Sequence, residues 1–201
     1  MRLVLATGNP GKLRELEALL SGRDIGIVTQ SELGITSAAE TGLTFLENAI
    51  LKARHAASRA GLAAIADDSG LEVDALGGRP GVRSARYADD QGDAANNTRL
   101  LAELADVPAA RRTARYRCVL VLLRSADDPA PLICEGTWEG RIAQTPAGDN
   151  GFGYDPLFLV GDLGLTAAQL SPQLKNQLSH RGQALRKLVA ELDRARAGRG
   201  S

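Results

Sequence analysis

The start of the chain combines a short apolar run with a helical stripe of leucines. Residues 2–6 (RLVLA) predict a buried strand, and a glycine-containing turn follows them. Beyond the turn, leucines recur at helical spacing: Leu13, Leu16, Leu19 and Leu20. The pattern therefore predicts a strand, a turn and a helix, in that order.

A second helix is predicted over residues 41–60, where polar residues near its start match a capping box. Thr44 and Glu47 have the Thr-x-x-Glu spacing in which each side chain accepts from the other residue's backbone N–H group. Gly61 is suited to end this helix, because glycine readily adopts the left-handed conformation found at helix ends.

The rest of the chain alternates between apolar runs and amphipathic segments. Strands are predicted at residues 62–66, 71–76, 114–123 and 131–142, and at the end of the glycine-punctuated segment 148–160. Helices are predicted at residues 95–107, ended by Pro108, and at residues 171–197, with Pro172 near the start. Residues 77–93 are predicted to form a long loop. Because strands alternate with helices and 114–142 looks like a hairpin, we expect an α/β protein with a mixed sheet.

Length and charge narrow the classes of function. The 201 residues suggest one large domain or two closely packed lobes, and we expect a single domain over residues 1–201 with a frayed tail at 197–201. The 24 basic and 24 acidic residues cancel, so the net charge gives no reason to expect binding to nucleic acid or an anionic membrane. No apolar stretch approaches the roughly 20 residues that span a bilayer, and no signal peptide is recognisable. Cys118 and Cys134 lie alone in apolar segments and are expected to be buried thiols of a cytoplasmic protein.

The turn at residues 7–12 (TGNPGK) is a candidate phosphate-binding site. A strand–turn–helix unit directs backbone N–H groups and the positive end of the helix dipole into the turn. Gly8 and Gly11 would allow close approach of a ligand, and Lys12 is unfavourable at a helix start unless an anion pairs with it. The spacing is that of neither a Walker A loop nor a dinucleotide fingerprint. An ordinary turn with a solvated lysine is the alternative that the turn alone leaves open.

Asp67 and Asp68 are predicted to lie at the end of a buried strand, in a turn with Ser69. Successive strand residues face opposite sides, so the two carboxylates are expected to serve different purposes, one facing a cleft and the other bracing the turn. Mg²⁺ bound with a phosphate substrate needs only one or two protein carboxylates, and Glu40 is a candidate partner. Lys52, two turns into the second helix, could reach a phosphate. A plain Asp-Ser-Gly turn and a solvated Lys52 are the alternatives.

Aromatic residues concentrate in one short stretch of the chain. Phe152 and Tyr154 lie between glycines (NGFGYDP), which favours rings on an exposed, bendable loop that could stack on a nucleobase. Phe158 is expected to belong to the core, and Trp138 to be a packing or interface residue.

Five stretches together resemble the inosine/xanthosine triphosphate pyrophosphatase family, which acts on non-canonical purine nucleotides. They are TGNPGK (7–12), ETGLTFLENAILKA (40–53), IADDSGLEVDALGGRPGVRSARYA (65–88), FGYDP (152–156) and KNQLSHRGQAL (175–185). The resemblance implies an elongated α/β fold, with a mixed sheet flanked by helices and two lobes around a central substrate cleft, and usually a homodimer. It also implies Mg²⁺-dependent cleavage of ITP, dITP or XTP to the monophosphate and pyrophosphate.

The same resemblance assigns roles to individual residues. Glu40 and Asp68 would hold the metal, and Asp68 would also be the base for the attacking water. Substrate contacts would come from Thr7, Gly8, Asn9, Pro10, Gly11, Lys12, Ser69, Phe152, Gly153, Tyr154, Asp155, Lys175, His180 and Arg181, with Lys52 added from its position on the helix. Gln169 stands where members commonly carry Glu, and no catalytic role is expected there.

Arg181 is the residue expected to select the base. It offers only hydrogen-bond donors, which suit the oxygen at position 6 of hypoxanthine or xanthine and are left unpaired against the amino group of adenine. His180 would orient Arg181 or contact the base itself. The alternative is that both residues only cap the last helix.

Two other functions remain open on the sequence alone. The first is a nucleotide pyrophosphatase of similar fold, such as the Maf-like type that acts on pyrimidine or modified nucleotides. The second is a nucleotide-sensing protein that binds without turnover.

Overall fold

The computed structural model describes residues 2–20 and 25–197, and it contains one six-stranded sheet with helices between the strands. The strands are β1 (Arg2–Leu5), β2 (Gly26–Thr29), β3 (Ala63–Val73), β4 (Thr113–Leu123), β5 (Leu132–Ile142) and β6 (Phe158–Val160). Their order in the sheet is β2-β1-β3-β4-β5-β6. β1 pairs in parallel with β2 and β3, whereas β5 and β6 are antiparallel. The prediction of an α/β protein with a mixed sheet is therefore confirmed.

The helices follow the predicted periodicity but differ at their ends. They are α1 (Pro10–Leu20), α2 (Phe45–Ala60), α3 (Asp93–Glu103), α4 (Pro172–Leu178) and α5 (His180–Ala197). α2 begins after residues 41–44, because Thr44 and Glu47 form the predicted capping box, and it ends at Gly61, whose φ is 63°. A short 3₁₀ turn at Gly81–Arg86 lies in the predicted long loop, and another at Asp74–Leu76 replaces the end of the strand predicted over residues 71–76.

The prediction of two short strands separated by an Asp-Asp-Ser turn is wrong. β3 runs without interruption from Ala63 to Val73, so Asp67, Asp68 and Ser69 lie inside a strand. A buried strand tolerates the two carboxylates because cationic side chains from other elements neutralise them, as described below.

The prediction of one helix over residues 171–197 is also wrong. The chain breaks at Ser179, whose ψ of 156° is extended, and His180 then begins α5. Ser171 caps α4, and Pro172 takes the first position of α4, as the sequence indicates. The break matters for function because it puts the predicted site residues His180 and Arg181 in the first turn of a helix.

The chain divides into two compact units. The first contains the residues up to Asp68, then Cys118–Gly136 and the residues from Arg181 onward; the second contains Ser69–Arg117 and Thr137–His180. The single domain over residues 1–201 stays a prediction. The predicted frayed tail covers residues 197–201, of which 198–201 lie outside the described part of the chain.

Each unit has its own apolar core. In the first unit, leucines of β1, α1, β4 and α5 surround Ile65 together with Cys118 and Cys134, which are buried thiols, as predicted. In the second unit, the core gathers leucines of β3 and α3 around the rings of Tyr116, Trp138 and Phe158. None of the described helices is long and apolar enough to cross a bilayer.

Candidate active site

The turn between β1 and α1 has the predicted strand–turn–helix form. Asn9 caps the helix: its Oδ1 accepts from the N–H groups of Gly11 at 2.8 Å and Lys12 at 3.2 Å. Thr7 Oγ1 accepts from the Asn9 N–H group at 3.2 Å, and Gly8 is exposed. A phosphate in this turn would therefore compete with Asn9 Oδ1 for the first N–H groups of α1, or would be bound by the side chains of Thr7 and Lys12.

Asp67 neutralises two cations from different helices. Its Oδ2 lies 3.0 Å from Lys12 Nζ of α1 and 3.3 Å from Arg181 Nε of α5. Arg181 also donates to Glu15 of α1 through Nη1. Asp67 and Arg181 are almost completely buried, with side-chain exposures of 0 % and 2 %. In this arrangement, two donors of Arg181, Nε and Nη1, point at the carboxylates of Asp67 and Glu15.

Asp68 belongs to a separate network on α2. Its Oδ1 accepts from Lys52 Nζ at 2.7 Å, and its Oδ2 accepts from Asn48 Nδ2 at 3.3 Å. Lys52 Nζ also lies 2.9 Å from Glu40 Oε1. Asn48 and Lys52 are one helical turn apart, so both side chains reach the same carboxylate from one face of α2. The Asn48 side chain also holds the segment before α2, because its Oδ1 accepts from the Gly42 N–H group at 2.8 Å.

The electrostatics of this network suit a proton acceptor. Burial raises the pKa of Asp68, and this effect exceeds the opposing influence of Lys52. Burial alone would lower the pKa of Lys52, but the carboxylates of Asp68, Asp67 and Glu40 outweigh it and raise that pKa. Asp68 therefore combines a raised pKa with a permanently charged neighbour, as a general base in a phosphate site requires.

The carboxylates of Glu40 and Asp68 fit a small divalent cation. Lys52 Nζ lies 2.9 Å from the Glu40 carboxylate and 2.7 Å from the Asp68 carboxylate. A metal ion near Lys52 could therefore take an oxygen ligand from each carboxylate. Within residues 2–20 and 25–197, no group of three or more His, Cys, Asp or Glu side chains is arranged to hold a metal. Two carboxylates are nevertheless the usual protein share of a Mg²⁺ site completed by phosphate and water.

The second unit contains another buried ion pair, centred on Asp155. Asp155 Oδ2 accepts from Lys175 Nζ at 2.6 Å and from the Phe152 N–H group at 2.8 Å. Asp155 and Lys175 are 2 % and 5 % exposed. Lys175 Nζ also lies 4.7 Å from the centre of the Phe152 ring. Gly151 is required here, because its φ is 78° and a Cβ would lie 2.1 Å from Asp155 Oδ2.

The loop at residues 152–155 is fixed from several sides, contrary to the expectation of a bendable loop. Asp93 Oδ2 accepts from the Gly153 N–H group at 2.7 Å, and Asn97 Nδ2 donates to the Gly153 carbonyl at 2.9 Å. The Tyr154 ring is buried, with its hydroxyl donating to the Ser84 carbonyl at 2.8 Å. The prediction of an exposed Tyr154 is therefore wrong, whereas Phe152 is half-buried.

His180 lies against the aromatic core of the second unit. Its ring stacks on Tyr116, with centroids 4.6 Å apart and planes 12° apart. Tyr116 in turn contacts Phe158 at 4.6 Å, and Phe158 contacts Trp138 at 5.2 Å. Phe158 and Trp138 are buried, so the prediction of Phe158 as a core residue is confirmed, as is a packing role for Trp138.

Comparison with known proteins agrees with this fold. The model of the Ham1 family matches residues 3–191. The chain belongs to the Ham1 family. It is 61 % identical over 193 residues to a protein of Thioalkalivibrio sulfidiphilus named dITP/XTP pyrophosphatase, with 96 % of this chain and 98 % of the relative covered.

Two further relatives of the Ham1 family span nearly the same length. A protein of Escherichia coli O157:H7, also named dITP/XTP pyrophosphatase, is 59 % identical over 192 residues, covering 95 % of this chain and 98 % of that protein. The solved structure of a HAM1 protein from Coxiella burnetii superposes with a TM-score of 0.90 at 49 % identity, covering 96 % of this chain and 99 % of the other.

Three residues of this Ham1 chain have site contacts that the sequence reasoning missed. Asn48 holds Asp68, Glu15 holds Arg181, and Tyr116 holds His180. A polar Asn48 on the buried face of α2, one turn before Lys52, is a signal that could have been found. Nothing local in the sequence connects Glu15 with Arg181 or Tyr116 with His180.

Two further residues singled out from the sequence are Ser69 and Gln169. Ser69 follows Asp68 in β3 and is half-buried. Gln169 Oε1 accepts from the Thr166 N–H group at 2.9 Å, a bond that the carboxylate of a Glu could also accept. The departure at Gln169 from the common family residue therefore keeps its local hydrogen bond.

Proposed function

We propose that the protein is a nucleoside triphosphate pyrophosphatase that hydrolyses dITP, ITP and XTP to the monophosphate and pyrophosphate. The observation that carries this proposal is the 61 % identity to a protein named dITP/XTP pyrophosphatase over 96 % of the chain. Such an enzyme removes deaminated purines from the nucleotide pool.

In the proposed reaction, Asp68 is the general base. Its carboxylate accepts a proton from a water molecule, whose oxygen forms a bond to phosphorus at the α–β phosphoanhydride. The phosphorus–oxygen bond to the leaving group breaks, and pyrophosphate departs. The raised pKa of Asp68 supports this role, because a base is most effective when its pKa approaches the working pH.

Lys12 and Lys52 neutralise the charge of the triphosphate in this proposal. Lys52 Nζ is 2.7 Å from Asp68. Because Asp68 is the proposed general base beside the α–β phosphoanhydride, Lys52 would also be close to the bond that breaks. Lys12 is paired with Asp67 at 3.0 Å and is 15 % exposed, so its ammonium can turn toward a phosphate at the β1–α1 turn. Phosphoryl transfer depends mainly on such positioning and charge stabilisation.

We propose Mg²⁺ as the cofactor, held by Glu40 and Asp68. When bound, the ion would offset the negative charge that develops on the phosphate oxygens. Lys52 already contacts both carboxylates and would remain beside them as a second source of positive charge.

The proposal assigns contacts with the nucleoside to Ser69, to the loop of residues 152–155, and to Lys175, His180 and Arg181. The Phe152 ring is half-buried, with Lys175 Nζ 4.7 Å from its centre, and the proposal assigns to this ring the stacking contact with the purine. Asp155 accepts from both Lys175 Nζ and the Phe152 N–H group, so this carboxylate fixes the positions of the lysine and of the loop.

One assay tests the activity and its rivals together. Phosphorus NMR would follow the products from ITP, dITP, XTP, ATP, GTP and pyrimidine triphosphates, with Mg²⁺ and with a chelator. We expect Mg²⁺-dependent release of pyrophosphate from the deaminated purines. Release of orthophosphate and a diphosphate would refute the cleavage site, and a preference for pyrimidines would favour a Maf-like activity. Binding without turnover would indicate a nucleotide sensor.

We also propose a homodimer in the cytoplasm. Cys118 and Cys134 are buried thiols that form no disulfide, which suits a reducing compartment. Light scattering of the purified protein would measure its mass against 21.1 kDa for one chain, and a mass of one chain at micromolar concentration would refute the dimer.

A further inference from the structure

Tyr116 of β4 contacts two of the residues proposed to bind substrate. Its ring stacks on His180 at 4.6 Å and 12°, and its hydroxyl lies 3.3 Å from Asp155 Oδ1. His180 is the first residue of α5, and Asp155 lies in the loop between β5 and β6. Tyr116, in contrast, lies in the sheet.

The ring of Tyr116 sets the plane of the His180 imidazole. The rings of Tyr116 and His180 are close to parallel. Phe158 also packs on Tyr116, with ring centroids 4.6 Å apart. Tyr116 is 7 % exposed and His180 is 5 % exposed. The imidazole packs face to face on the Tyr116 ring, so rotation about its side-chain bonds would break this stack.

The hydroxyl of Tyr116 completes the bonding of the Asp155 carboxylate. Lys175 and the Phe152 N–H group donate to Oδ2, and Tyr116 donates to Oδ1. The carboxylate is therefore held at both oxygens, which fixes its plane as well as its position. A phenylalanine would fill the same core volume, so packing alone does not account for the hydroxyl.

We propose that Tyr116 is a positioning residue for substrate recognition, which orients the His180 ring by stacking and the Asp155 carboxylate by hydrogen bonding. Through Asp155 it also holds Lys175 and Phe152, so one side chain of the sheet sets the geometry of four residues proposed to bind substrate. This inference rests on the proposed function in so far as those four residues contact a nucleotide. The orientation of His180 can be tested without any substrate.

The first experiment uses the two histidines of the chain, His55 and His180. In protein labelled with ¹³C and ¹⁵N at histidine, the ring signals of His180 carry the ring current of Tyr116, and those of His55 are an internal reference. We expect Tyr116→Leu to shift the His180 signals and Tyr116→Phe to leave them near their original positions. Unchanged His180 signals in Tyr116→Leu would overturn the stacking part of the proposal.

The second experiment measures kinetics with ITP and ATP. Removing the hydroxyl in Tyr116→Phe should lower kcat/KM for ITP by up to about tenfold, mainly through KM. Removing the ring in Tyr116→Leu should lower it by about ten- to a hundredfold, again through KM, because substrate is misplaced while Asp68 is untouched. We expect the ratio of ITP to ATP activity to fall in the same order.

Tyr87→Phe is the matched control for the loss of a buried hydroxyl. Tyr87 is also in the core of the second unit, and its hydroxyl donates to Glu103 at 2.7 Å rather than to a proposed site residue. This variant should keep the kinetics of the original protein. If the Tyr116 variants lose only stability, with unchanged KM and selectivity, the positioning role is refuted. If the unaltered protein has no pyrophosphatase activity, the proposed function fails and the histidine spectra still decide the orientation of His180.

Discussion

Asp67 and Asp68 are adjacent aspartates on one strand, yet they belong to networks of different character. Asp67 is completely buried between Lys12 and Arg181, and Arg181 is itself closed off by Glu15. The Asp68 side chain is 8 % exposed, and its network extends through Lys52 to Glu40, which is 23 % exposed. The two aspartates thus differ in exposure, although each network includes a partly exposed lysine, Lys12 at 15 % and Lys52 at 12 %.

The difference shows how one residue type can serve structure and chemistry at neighbouring positions. A buried carboxylate between two cations loses much when either partner is removed, because a charge is then stranded away from water. A partly exposed carboxylate with a raised pKa can exchange protons and accept a further ligand. In the proposed function, Asp67 contributes to stability and Asp68 to reactivity.

The largest effect is expected from Asp68→Asn, which keeps the shape of the side chain and removes its charge. Turnover of dITP should fall by about 10²- to 10⁴-fold, as for the loss of a catalytic base. Circular dichroism should show a folded protein. Near-normal turnover in this variant would transfer the catalytic role to Asp67 and break the comparison.

Asp67→Asn should act chiefly on stability. It removes the negative charge between Lys12 and Arg181, and the loss of one partner from a buried ion pair typically costs about 3–5 kcal/mol. The free energy of unfolding, measured with a chemical denaturant, should fall accordingly. A variant as stable as the original protein, but without turnover, would contradict the structural role of Asp67.

Lys12→Ala tests whether the ion-pair network of Asp67 also binds the substrate. Loss of a charged contact with phosphate should raise KM for dITP by about ten- to a hundredfold, with a smaller effect on kcat. Lys12→Arg, which keeps the charge, is the control. Unchanged KM and kcat in Lys12→Ala would remove the β1–α1 turn from the proposed triphosphate site.

Arg181→Ala sharpens the comparison by asking whether a buried cation also selects the base. If it does, kcat/KM should fall about tenfold more for ITP than for ATP, because a donor to the oxygen at position 6 is lost. Arg181→Lys keeps the charge between Asp67 and Glu15 and separates this effect from a loss of stability. Equal losses for both substrates would mean that Arg181 serves the ion-pair network and that selectivity lies elsewhere.

The smallest effect is expected from Glu47→Gln, at the start of the helix that carries Asn48 and Lys52. Bonds from the backbone N–H groups of Leu43 and Thr44, and from the Thr44 side chain, lower the pKa of Glu47. Its contribution to stability is thus present above the ordinary pKa of a glutamate and is lost as the pH falls through the lowered value.

The variant should be slightly less stable than the original protein near neutral pH, and the difference should vanish in acid. Denaturation curves at several pH values would measure this. A stability difference that persists below the lowered pKa would contradict the capping role of the Glu47 carboxylate.

The sequence was sufficient where local signals decide the structure. The capping box of Thr44 and Glu47 and the left-handed Gly61 were predicted because each depends on neighbours within a few residues. β2 was not predicted, because its four residues are too short to show a period. The order of the strands in the sheet also had no local signal.

The errors arose where distant charges decide the structure. A turn was predicted at Asp67 and Asp68 because two adjacent carboxylates are unfavourable in a buried strand. Their charges are neutralised only in the folded chain, by Lys12, Lys52 and Arg181. The break at Ser179 was similarly invisible, since the residues on both sides have helical patterns. The candidate residues could thus be named from motifs, but their partners could not.

The cores described above give each unit its own intrinsic reporter. The single tryptophan, Trp138, is buried in the core of the second unit, so its fluorescence follows the exposure of that core. Both thiols, Cys118 and Cys134, are buried in the core of the first unit, so their rate of reaction with a thiol reagent follows its opening. Fluorescence and thiol labelling in one denaturant series would therefore report the opening of each unit without any engineered probe.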